Sequence, residues 1–97
     1  MYVATFKTAN GYVERMYTIE GSSLEKIVSR LQAIQDLDCL VRMGRLMGNL
    51  DDEKALDSLE NFLAKFYAGK LHLEDLQNFQ VELSAGSIVC VKVEEKD

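Results

Sequence analysis

The chain has 97 residues with 47% apolar and 28% charged side chains, the composition of a soluble globular protein and enough for one core without disulfide or metal staples. The mix excludes collagen-like, mucin-like, disulfide-dense and disordered classes. The net charge of −5 is uneven: residues 1–50 carry six basic and five acidic side chains, and residues 51–97 carry five basic and eleven acidic ones. The acidic half repels phosphate backbones, so no direct nucleic-acid binding is expected, while a basic surface on another protein would be attracted. The opening Met-Tyr-Val-Ala-Thr-Phe-Lys is too short and polar for a signal peptide, and no apolar run approaches the ~20 residues that span a bilayer. A cytoplasmic protein without membrane association is expected. Cys39 and Cys90 lie among aliphatic residues and read as two packed thiols in a reducing compartment.

Asn10-Gly11 is a two-residue hairpin cue, since a type I′ turn needs positive φ at both central positions. Centred there, the hairpin pairs residues whose numbers sum to about 21. It places Tyr2, Ala4, Phe6, Val13, Tyr17 and Ile19 on one face, and Lys7 opposite Glu14 on the other. Arg15 is the misfit on the apolar face. Gly21 ends the strand, and Ser22 with Glu25 reads as a capping box. Leu24, Ile27, Val28, Leu31 and Ile34 then predict a helix over residues 23–35.

Residues 36–50 carry a weaker signal. Cys39, Val41 and Met43 alternate with Leu40 and Arg42, which predicts a short strand over 39–43, and Gly44 and Gly48 predict a loop after it. Acidic residues 51–53 mark the start of a second helix over 52–68, with Ala55, Leu56, Leu59, Phe62, Leu63, Phe66 and Tyr67 on its apolar face and Gly69 as its stop. Residues 73–79 read as one or two helical turns. The tail reads as a second hairpin: Phe79, Val81 and Leu83 alternate on the first arm, Ser84–Ser87 turn, and residues 88–93 return. Strict alternation puts Ile88 and Cys90 on one face and Val89, Val91 and Val93 on the other, as in a central strand or one whose outer face is covered.

The assembled expectation is a single α+β domain over residues 1–97. It is a two-layer sandwich: a mostly antiparallel sheet of four or five strands, with two amphipathic helices on one face.

The residue inventory points away from several chemistries. His72 is the only histidine, and two separated cysteines complete no zinc set. Asp51-Asp52-Glu53 lacks the spacing of a calcium loop, and Gly44 and Gly48 match no phosphate-cradling motif. No catalytic, metal or cofactor site is assigned. The segment Arg42, Met43, Arg45, Leu46 and Met47 is the candidate protein-binding site, because arginine and methionine are enriched at interfaces. Val89, Val91 and Val93 form a candidate sheet-face interface, with a homodimer as the expected product. The leading expectation is a non-enzymatic cytosolic interaction module that regulates or assists a partner protein. The alternative is an acidic inhibitor of a nucleic-acid-binding protein, with Glu53, Asp57 and Glu60 on one helix stripe as its working surface. A small enzyme of unspecified reaction stands third.

Overall fold

A computed structural model describes residues 1–96. Nine-residue strands β1 (Tyr2–Asn10) and β2 (Val13–Gly21) form the first hairpin. Four helices follow: α1 (Leu24–Ile34), α2 (Leu37–Met47), α3 (Glu53–Tyr67) and α4 (Leu73–Gln77), with a 3-10 turn at Leu50–Asp52 before α3. Strands β3 (Gln80–Leu83) and β4 (Gly86–Glu95) close the chain. The sheet is four-stranded and antiparallel in the order β2-β1-β4-β3, so the chain ends pair at its centre and β4 is an interior strand. All four strands are held by one α+β sandwich in which the helices cover one sheet face. The core joins Ala4, Phe6, Ile19, Val81, Ile88 and Cys90 from the strands to apolar stripes of every helix.

The first hairpin turns on Gly11 and Tyr12, one position later than expected. Asn10 pairs with Val13, Gly11 alone takes positive φ (60°), and Tyr12 does not. Glycine first is the type II′ pattern. The pairing slides by two residues, to Ala4↔Ile19 and Phe6↔Tyr17, which leaves every side chain on its expected face. Lys7 now pairs with Met16 in register, yet still reaches Glu14 diagonally at 3.2 Å.

Helix α1 is capped by Ser23, whose Oγ accepts from the Lys26 N–H at 3.2 Å, rather than by Ser22. Glu25 therefore sits at the second helical position and forms no capping box. Leu24, Ile27, Val28 and Leu31 are buried as expected, while Ile34 is exposed. Helix α3 ends in a full Schellman motif: Gly69 N–H donates to Phe66 O (3.1 Å) and Lys70 N–H to Lys65 O (2.9 Å).

The strand expected over 39–43 is instead the middle of α2. Asp36 caps that helix, accepting from the Cys39 N–H at 3.0 Å, and Gly48 stops it in the left-handed region. Leu37, Leu40 and Val41 pack on the core at helical spacing. Gly44 continues this stripe and is a contact rather than a breaker: a Cβ there would lie 2.7 Å from Leu56 Cδ2. The missing side chain lets α2 and α3 approach closely.

A β-bulge corrects the outer sheet face. Thr5 pairs with Lys92 and Phe6 with Cys90, leaving Val91 as the extra residue. Beyond it the alternation changes phase. Val93 pairs with Ala4 and packs against the core, so it does not belong to an outer valine patch. Val89 remains on the outer face between Lys7 and Gln80, and Val91 is half-exposed. The same face carries Glu14, Glu20, Lys92 and Glu94, including a Lys92–Glu94 pair at 3.6 Å.

Candidate functional site

Helix α2 has two apolar sides. Its inner stripe is in the core. Its outer stripe, Met43, Leu46 and Met47, follows i, i+3, i+4 spacing and leads to Leu50 in the 3-10 turn. These four side chains are 52%, 81%, 73% and 81% exposed. Such a contiguous ridge is uncommon on a surface with no partner. Leu50 was not singled out in the sequence. It lies four residues beyond Leu46, a relation visible only once this stretch is known to be helical.

The two candidate arginines separate. Arg45 leaves the ridge and grips α3, with Nη2 donating to Asp57 at 2.6 Å and Nε to Glu60 at 3.0 Å. The two carboxylates raise its pKa above the usual guanidinium value, Asp57 contributing most. Arg42 stays on the exposed surface and makes no salt bridge among the described residues.

This geometry breaks up the expected acidic stripe. Asp57 and Glu60 share one guanidinium, and only Glu53 stands without a cationic partner among the described residues. Asp52 also leaves the acidic run. It is buried, and its Oδ1 accepts from the Ser84 N–H and Oγ–H, both at 2.9 Å, which ties the start of α3 to the β3–β4 turn. No group of three His, Cys, Asp or Glu side chains among the described residues is placed to hold a metal ion.

A polar cluster sequence reasoning missed fixes the root of α2. Asp38 accepts from the Tyr67 hydroxyl and from Gln32 Nε2 (2.9 Å), and Gln32 Oε1 accepts from the Leu37 N–H (2.6 Å). One residue from each of α1, α2 and α3 is thereby joined. The Tyr67 hydrogen bond, then that of Gln32, holds the Asp38 carboxyl below its usual pKa, and the same bond raises that of Tyr67. Tyr67 lies 29 residues from Asp38 and 35 from Gln32 along the chain, so no local pattern announces the cluster.

The remaining reactive groups are dispersed. Both cysteines are free. Cys90 is buried, and desolvation pushes its thiol up to about 11. Cys39 lies half-buried in the first turn of α2. His72 precedes α4, and its backbone N–H donates to Asp75 at 2.8 Å. No helix among the described residues is long and apolar enough to cross a membrane. Comparison with protein-family models, curated proteins and solved structures finds no match.

Proposed function

We propose that the chain is a protein-docking module that binds its partner through the outer ridge of α2. One observation carries this reading: Met43, Leu46 and Met47, with Leu50 in the turn that follows, all stand more than half exposed beside a helix whose opposite side already fills the core. Fully burying such a side chain is worth about 1.5–3 kcal/mol. At their degrees of exposure, the four supply roughly 4–8 kcal/mol before association costs, enough to anchor a modest interface inside a polar rim. Methionine adapts to irregular surfaces, which suits a groove in a partner rather than a rigid mate. Arg42 beside the ridge favours a carboxylate on the partner's rim. A cytosolic setting fits the two unpaired thiols.

The acidic-inhibitor reading has less support, because Arg45 compensates two of its three carboxylates. A dimer through the outer sheet face loses Val93 and would have to bury charged side chains. The test is affinity capture from the native host at high salt with the wild type, Leu46→Asp/Met47→Asp, and Asp57→Asn/Glu60→Gln. Both ridge positions are exposed, so the fold should survive. A salt-resistant partner lost only by the ridge variant supports the reading. A partner kept by the ridge variant and lost by the carboxylate variant, or lost by salt alone, refutes it.

A further inference from the structure

The helical layer stops short of the hairpin tips, and a cleft opens there on the core side of the sheet. Its floor follows the strand register. Arg15 on β2 pairs with Thr8 on β1, Thr8 with Ile88 on β4, and Ile88 with Val81 on β3. One row across four strands thus runs from a guanidinium to aliphatic side chains. Gln35, at the end of α1, borders the whole length, and Leu40 of α2 borders the aliphatic end.

The cleft has two arms that meet at Thr8, Asn10 and Gln35. The aliphatic arm, closed by Leu83 and Ala85, has a volume of about 170 Å³. An apolar cavity of ~150 Å³ accepts a benzene-sized group. The polar arm, over Arg15 and Tyr17, measures about 340 Å³. Together they fall within the ~300–1,000 Å³ range of small-molecule sites, which combine apolar walls with a few convergent polar groups.

The polar groups that line this cleft are free to meet a ligand. Thr8, Asn10, Arg15 and Gln35 make no side-chain hydrogen bond or salt bridge with another described residue. Thr8 is nonetheless only 9% exposed. By contrast, Lys65 and Asp75 in the cleft between α3 and α4 bind each other at 3.0 Å, and Arg45 is held by two carboxylates. No carboxylate lines either arm, although the chain has sixteen. The charge that misfits the apolar face of β2 in the sequence is therefore the one cation of a cleft otherwise free of charge.

We propose that this cleft binds a small monocarboxylate bearing an apolar group of about five or six carbons. The carboxylate meets the Arg15 guanidinium, which matches its planar, two-oxygen geometry, with Thr8, Asn10 and Gln35 as further hydrogen-bond donors. The apolar group lies over Val81, Ile88 and Leu83. The site is separate from the α2 ridge and does not depend on the docking function.

Sodium hexanoate is the direct probe, titrated against the isotope-labelled full chain by NMR, with hexanol and hexylammonium as headgroup controls. Saturable shifts confined to residues 8–10, 13–17, 35, 40 and 81–88 are expected for hexanoate, with binding at least about fivefold weaker for hexanol and none for hexylammonium. Arg15→Gln changes an exposed side chain and should weaken hexanoate at least about fivefold in a folded protein. Ala85→Trp, at the exposed turn, should fill the aliphatic arm and abolish binding. No saturable shift, shifts centred on the α2 ridge, equal binding of hexanol, or undiminished binding by Arg15→Gln would each overturn the proposal.

Discussion

Replacing Gly44 by alanine sets two effects of known size against each other. Glycine inside a helix costs about 0.8–1 kcal/mol relative to alanine, so propensity favours the change. Packing opposes it. The new Cβ would lie 2.7 Å and 2.9 Å from the two Leu56 Cδ atoms, and Leu56 is only 2% exposed. Overfilling a packed core typically costs about 1–3 kcal/mol. The expected net result is a loss of about 1 kcal/mol, or roughly 4–8 °C in Tm for a chain of this size. Urea denaturation supplies the free energies. Leu56→Val removes both clashing Cδ atoms, so in that background Gly44→Ala should become neutral or stabilising by up to ~1 kcal/mol. Gly48→Ala is the control, because its cost comes from a backbone φ of +62° with open space around it, and it should not depend on residue 56. A stabilised Gly44→Ala single variant, or equal effects in both backgrounds, would refute the close approach of α2 and α3.

Thiol labelling at neutral pH should modify Cys39 well before Cys90, whose thiol is buried and raised to about 11, and mass mapping of a partial reaction checks the order. Tyr67→Phe should destabilise the protein near neutrality, with a deficit that shrinks at both pH extremes. Asp38 is held below 3.8, so its contribution is present above that value and lost as pH falls through the lowered folded pKa; Tyr67 is held above 10.0, so its contribution is present below that value and lost as pH rises through the raised one. Both groups are largely solvated, which keeps the effect small, and urea denaturation of the pair across pH tests it. A deficit that does not change with pH would count against the Tyr67–Asp38 bond.

Local signals in the sequence were enough for the hairpins, for α1 and α3, and for the sandwich they build. The faces of the first hairpin survive even though its turn moves, because a slide of two residues preserves the alternation. The bulge at Val91 does the reverse. One extra residue in β4 changes the phase of everything after it, and the run Ile88–Val93 is apolar enough to accept either phase. The pairing of Arg45 with Asp57 and Glu60 spans 12 and 15 residues and sits beside the close α2–α3 contact at Gly44, which no local pattern announces. Arg15 was visible as a misfit, but the cleft around it needs four strands and the end of α1 to be in place.

The misread of α2 and its proposed role have one physical origin. A helix with a single apolar stripe shows its period plainly, as α1 does. In α2 the inner stripe of Leu37, Leu40 and Val41 is overlaid by the outer stripe of Met43, Leu46 and Met47, so the helical period is blurred and Cys39, Val41 and Met43 imitate a strand. The second stripe adds nothing to the core of an isolated chain and costs exposed apolar surface. Positions where local pattern and global fold disagree in this way are those where a constraint other than folding has chosen the residues. Under the docking proposal, that constraint on α2 is a surface completed by another protein.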